Sequence, residues 1–291
     1  MTKAIHVTST APSRQRNPYL QFQVDDFDLL CTILSALMWR KENGTIKLYT
    51  DSTGYEYYQR AGILSIYDGG VDTDVLDHLP DNINYEIFWA SGKLFALRNE
   101  GAPVAVIDTD LVVWKRISHI LESQRVASFH HEPLFQDIYL PSFYLKTRPG
   151  YQFDPEWDWT VDACNAALAY FGDQEFLEYY TDCAFDFMRD NMEYPKEMIS
   201  QMVFAEQRLL GMCAHQRGIP VYHFLFDPWQ DDNDGFTHLW GAKDMARHDP
   251  KQRAILCRLL LDNIRSLFPQ FQFDSPILRD IADTYQSSPA I

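Results

Sequence analysis

Cysteine is scarce in this sequence and poorly spaced for cross-linking. The chain has an odd number of cysteines, none of them in a Cys-x-x-Cys pair, and all have apolar neighbours: Cys31, Cys164, Cys183, Cys213 and Cys257. A disulfide framework and a zinc site are therefore not expected. The pattern predicts reduced thiols in the core of a cytoplasmic protein.

Long apolar runs are also missing. The most apolar stretch, 29–39, is eleven residues long and is interrupted by Thr32 and Ser35. A membrane-spanning helix needs about 20 consecutive apolar residues. The first twenty residues lack the continuous apolar region of a signal peptide. We therefore expect a soluble protein with no transmembrane segment.

Positive charge is in short supply. Lysine and arginine total 25 against 41 aspartates and glutamates, which gives a formal net charge of −16. Such a surface repels nucleic acids and anionic membranes unless a cation intervenes. The charge excludes nucleic acid as an unassisted partner and leaves neutral, cationic or metal-bridged ligands.

Several nucleotide-binding and hydrolytic motifs are absent. The sequence contains no G-x-S-x-G, G-x-G-x-x-G or Walker lysine motif, so the serine hydrolase, dinucleotide and P-loop classes have no support. What the chain does have is apolar material, 46% of 291 residues. This amount supports a sizeable core in one large domain or two intimate ones.

Short β-like runs alternate with helix-period segments in the first hundred-odd residues. This alternation predicts an α/β fold with a mostly parallel central sheet flanked by helices. We predict strands at 4–8, 46–50, 63–67 and 104–107, and helices starting near 25 and at 52–57 and 87–99. Farther along we predict a loop-dominated segment at 130–160, helices at 173–188, 196–215 and 251–268, and a strand near 221; the last helix is expected to pack across the sheet.

An acidic pair interrupts two apolar runs. Asp108-Thr109-Asp110 follows the run 104–107, and Leu111 resumes the apolar pattern. Carboxylates at i and i+2 in a strand point to the same face, so both can reach one ligand at the carboxyl end of the sheet. Burial beside apolar segments costs solvation energy unless a cation or donors compensate. Mg²⁺ and Mn²⁺ are the natural compensators because they prefer carboxylate oxygens and share coordination with phosphates.

Four blocks in a fixed order carry a family resemblance over about 140 residues. The segment IDTDLVVWKRI resembles the metal-binding block of glycosyltransferase-A fold nucleotide-sugar transferases, especially the glycogenin-like and bacterial galactosyltransferase group (family 8). FWASGKLFALRN stands where that family has a helix that helps to hold the nucleotide. The other three blocks begin at Asn165 (NAALAY), Glu206 (EQRLL) and His238 (HLWGAK).

The resemblance implies a metal-dependent hexosyltransferase that uses a nucleoside-diphosphate sugar, most simply a UDP-sugar, and an unidentified acceptor. Asp108, Asp110 and His238 would hold Mn²⁺ or Mg²⁺. Gln207 and Glu206 would be the catalytic residues at the anomeric carbon. The residues implied in donor binding are Asn165, Asp162, Lys93, Gly241 and Lys243.

The resemblance also implies a division of the chain. Residues 1–125 would form the nucleotide-sugar-binding half and 126–250 the acceptor and donor-sugar half of one domain, with a C-terminal helical segment at 251–291. The closing block and the block at Asn165 are like those of the retaining group. Retention would let the departing phosphate take the acceptor's proton, whereas inversion would make Glu206 the general base.

The sequence departs from the family pattern at three places. Arg208 stands where an acidic residue is usual, and Lys243 follows Gly241 by two residues instead of three. Asn165 is followed by Ala166-Ala167, where the family usually has Ala or Gly followed by Gly-Val. A non-catalytic nucleotide-sugar or carbohydrate binding protein and a nucleotide-sugar hydrolase remain alternatives.

Two other polar segments are given structural roles. His130-His131-Glu132 includes adjacent histidines that point in different directions on a strand, and Pro133 follows them. The run 231–235 lacks the acidic spacing and distal glutamate of a calcium loop, so it is interpreted as a solvated turn or a flap before His238.

Overall fold

The fold is taken from a computed structural model that describes residues 1–19, 21–135, 137–226 and 235–286. The acidic run at 231–234 lies outside these residues. The strands are β1 (Ala4–Thr8), β2 (Ile46–Thr50), β3 (Val71–Asp72), β4 (Val104–Ile107), β5 (Leu111–Val113), β6 (Val126–Glu132), β7 (Ala163–Cys164), β8 (Leu168–Phe171), β9 (Val221–Leu225) and β10 (Phe236–His238).

The α-helices surround these strands. In chain order they are α1 (Ala11–Arg16), α2 (Asp26–Glu42), α3 (Ser52–Ala61), α4 (Asp74–Asp77), α5 (Ser91–Glu100), α6 (Ser118–Leu121), α7 (Gln174–Met188), α8 (Met198–Val203), α9 (Leu209–Gln216), α10 (Trp240–His248), α11 (Pro250–Leu267) and α12 (Pro276–Gln286). None of the helices in the described part of the chain is long and apolar enough to span a membrane.

One mixed sheet runs through the molecule in the order β3-β2-β1-β4-β8-β6-β7, with β9 also paired to β6. The pairs β1–β2, β2–β3, β1–β4 and β6–β9 are parallel, and β4–β8, β6–β8 and β6–β7 are antiparallel. A separate antiparallel pair joins β5 and β10. The predicted α/β class with a mostly parallel sheet flanked by helices is confirmed.

The core lies on both faces of this sheet. One cluster packs α2 and α11 against residues such as Leu48 and Ile107, and the other packs α5, α7 and α9 against neighbours of opposite parity such as Tyr49 and Val106. The prediction for the C-terminal helix is corrected in its detail, since α11 packs on α2. The helix α2 in turn covers the sheet.

Most predicted boundaries agree with the structure because local signals specify them. The Asp51 side chain accepts a hydrogen bond from Gly54 N at 3.0 Å and so caps α3. Gly62 ends that helix in the left-handed conformation at φ 75°. The strands predicted at 4–8, 46–50 and 104–107 are confirmed to the residue.

Two predictions at the start of the chain are wrong in part. The apolar run 63–67 forms a 3₁₀ turn, Leu64–Ile66, and the third strand is β3. Its apolar side chains are buried against α2 and need no strand to reach the core. The helix predicted from residue 87 begins at Ser91, because Asn84 accepts hydrogen bonds from Ile87 and Phe88 and holds a turn there.

The helix predicted at 196–215 contains a wider turn. Between α8 and α9 the residues Phe204–Arg208 adopt a π-helical turn. Such insertions are rare and occur frequently at functional sites. This one contains Glu206 and Gln207, the two residues for which the family resemblance implies a catalytic role.

The close approach of α9 to the segment before β7 yields a stability prediction. A Cβ added at Gly211 would lie 2.5 Å from the carbonyl oxygen of Asp162, whereas one added at Gly241 in α10 would meet no atom within 4 Å. We expect Gly211→Ala to lower the free energy of unfolding by about 1–3 kcal/mol, as overpacking does. Gly241→Ala is the matched control in a helix and should be neutral or slightly stabilising. Urea unfolding measures both, and equal stability of the two variants would contradict the prediction.

Candidate functional site

The carboxyl ends of several strands meet at one edge of the sheet. Since β1, β2, β4, β6 and β9 run in the same direction, their last residues share this edge, where open α/β sheets bind ligands. Asp108 follows β4 at this edge, and Glu132 ends β6. Asn165 precedes β8, which runs the opposite way, and therefore lies at the same edge.

The acidic pair lies in a tight turn, which corrects the strand geometry expected from the sequence. Asp108 N donates to Ala167 O at 2.7 Å, and Leu111 N donates to Asp108 O at 3.0 Å, so the chain reverses between β4 and β5. The carboxylates are brought together by this turn and not by a shared strand face. Asp110 is 6% exposed and Asp108 is half-buried.

His238 joins the two aspartates through strand pairing. In the β5–β10 ladder His238 lies opposite Leu111, and Leu239 N donates to Asp110 O at 3.0 Å. Ligand atoms of Asp108, Asp110 and His238 all lie within 4.8 Å of one another. Two carboxylate oxygens and an imidazole nitrogen at this spacing suit a divalent cation such as Mn²⁺. The three residues therefore form a group that could hold a metal ion.

Lys243 lies next to Asp110. Its Nζ is 2.7 Å from Asp110 Oδ2 and 3.4 Å from Asp28 Oδ1. Arg247, one turn later in α10, is 3.1 Å from Asp28. Burial alone would raise the pKa of Asp110, but the His238 ring 3.7 Å away and the charge of Lys243 hold that pKa well below its usual range.

Lys93 forms an ion pair with Asp108, as Lys243 does with Asp110. Its Nζ lies 2.6 Å from Asp108 Oδ1 and 2.9 Å from Glu206 Oε1. Burial would lower the pKa of Lys93, and the two carboxylates raise it above its usual value. Burial raises the pKa of Glu206, and Lys93 opposes that rise. Lys93 therefore joins the π-helical turn to the acidic pair.

The neighbours of Glu206 in the π-helical turn have separate partners. Tyr139 donates its hydroxyl proton to Gln207 Oε1 at 2.6 Å. Arg208 is buried and donates to the carbonyl oxygens of Val161 and Trp159. The arginine that departs from the family pattern thus holds the chain before β7 and does not face Asp108.

The residues implied in sugar binding make contacts along the end of β6. Asn165 Oδ1 accepts from Ala167 N at 3.0 Å. Asp162 accepts from His131 Nε2 at 2.8 Å. Asn165 therefore shapes the turn before β8, while Asp162 is held on the β6 side.

A cavity of about 290 Å³ adjoins the acidic turn. Thr109 reaches it from the turn, Thr8 from the end of β1, and Lys243 and Arg247 from α10. Its remaining lining residues come from the segment before α2, from α2 itself and from α3: Phe22, Gln23, Val24, Asp25, Asp28, Thr32 and Tyr58. A ligand in this cavity would meet a lysine and an arginine beside the Asp108-Asp110-His238 group.

A buried chain of hydrogen bonds from Tyr67 through His6 and Ser35 to Leu111, here called the His6 relay, supports the acidic turn. Ser35 Oγ donates to Leu111 O at 2.6 Å, so His6 Nε2 must donate to Ser35 Oγ at 3.1 Å. His6 Nδ1 then accepts from the Tyr67 hydroxyl at 3.2 Å. Burial lowers the pKa of His6 from 6.5 to about 3. The imidazole is therefore neutral, and it fixes the first residue after Asp110.

Most of the chain matches one known protein family. Residues 11–270 match the family described as "Family of unknown function (DUF6734)". The chain belongs to the DUF6734 family. No curated protein matches this DUF6734 sequence.

The solved structures to which this chain is similar include several glycosyltransferases. Mouse xyloside xylosyltransferase 1 in its apo form is 11% identical, with 78% of this chain and 85% of that chain covered and a TM-score of 0.37. The galactosyltransferase LgtC, in complex with donor and acceptor sugar analogues, is 10% identical, with coverages of 76% and 73% and a TM-score of 0.40. The bifunctional glycosyltransferase WbbM in its apo form is 11% identical, with coverages of 98% and 52% and a TM-score of 0.42.

Sequence reasoning missed three residues that pair with candidate site residues or support the acidic turn. Asp28 pairs with Lys243, Tyr139 donates a hydrogen bond to Gln207, and His6 supports Leu111 through Ser35. Only Asp28 carried a signal, as an acidic residue in the first turn of a predicted helix. The other contacts join positions 29 to 76 residues apart, so no spacing in the sequence indicates them.

The His6 relay predicts acid sensitivity. A neutral folded histidine with a lowered pKa loses stability as pH falls below 6.5, the unfolded value, and continues to lose it down to about 3. Between pH 7 and pH 5 this group should remove about 2 kcal/mol from the free energy of unfolding.

Urea unfolding at both pH values tests the relay. The loss between pH 7 and pH 5 should be about 2 kcal/mol smaller in His6→Gln, which cannot titrate. His78→Gln, whose side chain is 75% exposed, is the control and should keep the wild-type loss. An unchanged pH dependence in His6→Gln would show that His6 titrates normally in the folded protein.

Proposed function

We propose that this chain is a metal-dependent glycosyltransferase of the glycosyltransferase-A fold that uses a nucleoside-diphosphate sugar as donor. The observation that carries the proposal is the Asp108-Asp110-His238 group beside a cavity lined by Lys243 and Arg247. A metal ion held next to the positively charged side chains of Lys243 and Arg247 would offer favourable contacts to the negatively charged oxygens of a diphosphate. Membership in the glycogenin-like group (family 8), Mn²⁺ as the metal, UDP as the nucleotide and a cytoplasmic location belong to the same proposal.

Asp108, Asp110 and His238 would hold the cation, which would neutralise charge on the diphosphate as the sugar–phosphate bond breaks. Lys243 and Arg247 would bind phosphate oxygens from α10, and Gly241 would let the phosphates approach the start of that helix. No atom lies within 4 Å of a Cβ placed at Gly241. The open space there supports its assignment to donor binding.

The sugar would lie toward the π-helical turn and the end of β6. Gln207, held by Tyr139, would face the developing positive charge on the sugar, and Asn165 and Asp162 would bind its hydroxyls. Lys93 and Glu206 would connect this side to the metal ligands. In this arrangement Glu206 is 6% exposed and paired with Lys93, which does not favour it as a base for the acceptor. We therefore propose retention, with the departing phosphate taking the acceptor's proton.

The first test of this proposal is ligand-induced stabilisation. Mn²⁺ together with UDP should raise the melting temperature, because a ligand at a hundredfold excess over its Kd stabilises the folded state by about 2.7 kcal/mol. Asp108→Asn and Asp110→Asn should abolish the gain. Asp244→Asn, in α10 with its side chain 80% exposed, is the control and should keep it. Equal shifts in all four proteins would remove the two aspartates from the metal site.

Turnover and stereochemistry form the second test. Incubation with nucleotide sugars, Mn²⁺ and candidate acceptors should release nucleoside diphosphate, and proton NMR should show a product that keeps the donor's anomeric configuration. Gln207→Ala should slow transfer by more than about tenfold if it acts only in the transition state. Release without any acceptor would favour a hydrolase, and binding without release would favour a non-catalytic binding protein. An inverted product that disappears in Glu206→Gln would make Glu206 the base.

A further inference from the structure

Two cysteines lie on the facing sides of α7 and α9. The chain runs antiparallel along this contact: Phe187 packs on Phe204 with ring centroids 4.6 Å apart, and Tyr179 donates its hydroxyl proton to Gln216. Cys183 lies one helical turn from both Tyr179 and Phe187. Residues four apart share a helix face, so Cys183 lies in the middle of the face that α7 turns toward α9.

Cys213 holds the matching position on α9. It comes one turn before Arg217, whose guanidinium lies 4.0 Å from the centre of the Tyr179 ring. Cys213 is buried in the core cluster against which Cys183 packs. One turn back along α9 and one turn forward along α7, the antiparallel contact therefore places Cys213 opposite Cys183. Both thiols are free in the structure.

Cys183 differs from the other cysteines in its surroundings. Of the five cysteines, Cys183 is the partly exposed one, and the other four are buried. The Cys213 thiol lowers the pKa of Cys183 against the opposing effect of burial, and Tyr179 adds to the lowering. Burial raises the pKa of three buried thiols: Cys31, Cys164 and Cys257. Because the thiolate is the nucleophile, Cys183 is the cysteine expected to react first.

We propose that Cys183 is a site of reversible thiol modification, and that Cys213 resolves the modified form into a Cys183–Cys213 disulfide. The reagent is a small-molecule disulfide, written here as RSSR. The pair is separate from the Asp108-Asp110-His238 group, and its reaction needs neither metal nor nucleotide.

The reaction consists of two thiol–disulfide exchanges. The Cys183 thiolate attacks one sulfur of RSSR and forms an S–S bond with that RS group, while the other RS group leaves as a thiolate and takes up the proton that Cys183 had lost. Cys213 then loses its proton and attacks the Cys183 sulfur, and the second RS group leaves and takes up that proton. Two protein thiols are oxidised to one disulfide, and one RSSR is reduced to two RSH.

The disulfide would also restrain the π-helical turn. The helix α9 starts directly after Phe204–Arg208, and Tyr180 of α7 donates to Glu206 O at 2.6 Å. Cys213 lies about two helical turns after Glu206. A covalent link at this point would hold the turn and α9 against α7.

Oxidised glutathione applied to the native full chain tests the proposal. After free thiols are blocked, peptide mass spectrometry without reductant should find the Cys183–Cys213 disulfide in wild type, and dithiothreitol should reverse it. The oxidised protein should melt about 5 °C higher, because the bridge constrains the unfolded chain. With iodoacetamide, Cys183 should be alkylated at least about tenfold faster than any other cysteine.

Cysteine variants assign the two roles. Cys213→Ser should stop at the mixed disulfide of Cys183 with glutathione, and Cys183→Ser should stay unmodified. Cys257→Ser, at a buried cysteine of α11, is the control and should form the same disulfide as wild type. Circular dichroism checks folding, and Cys→Ala at the same position replaces any variant that does not fold.

Three results would each overturn the proposal. They are a Cys183 that stays free in oxidised glutathione, a wild-type protein that stops at the mixed disulfide with Cys213 unmodified, and a disulfide between any other pair of cysteines.

Discussion

At the carboxyl edge of the sheet, the negative charges of two aspartates in the turn between two buried strands need positively charged or hydrogen-bonding partners. Asp108 and Asp110 sit between β4 and β5, where burial without partners would cost several kcal/mol. The chain supplies Lys93 from α5, Lys243 from α10 and His238 from β10. These elements lie far apart in sequence, and the sheet brings them to one edge.

The same pairing connects the turn that holds Asp108 and Asp110 to the π-helical turn. Lys93 holds Asp108 and Glu206 together, and Glu206 belongs to the π-helical turn. That turn widens the helix where Gln207 emerges, and Tyr139 fixes the Gln207 amide from the loop after β6. A change in charge at Asp108 would therefore alter the electrostatic environment of Glu206 through Lys93, in the turn whose residue Gln207 is proposed to face the sugar. The proposed catalytic and metal-binding groups form one electrostatic unit.

The sequence specified what local chemistry determines and missed what tertiary contacts determine. Apolar runs, the Asp51 cap and Gly62 were sufficient to predict β1, β2, β4 and α3. The Asp-x-Asp pair and His238 were found from residue type, order and family resemblance, and they do lie together. The run at 63–67 was mistaken for a strand because periodicity does not separate a short buried strand from a buried turn. Asp28 and Tyr139 were missed because their partners, Lys243 and Gln207, lie distant in sequence.

Charge explains how so acidic a chain could bind a polyanionic donor. A net charge of −16 repels a nucleoside diphosphate at long range. At the site, however, Lys93, Lys243 and Arg247 stand against Asp108, Asp110, Glu206 and Asp28, which leaves a local imbalance of one negative charge. A divalent cation bound there, as proposed, would reverse that sign and favour an anion. The lysines keep the site close to balance, so under the proposed function one bound cation would change the sign of the local charge. The acidic surface around it would still repel anions that arrive without a cation.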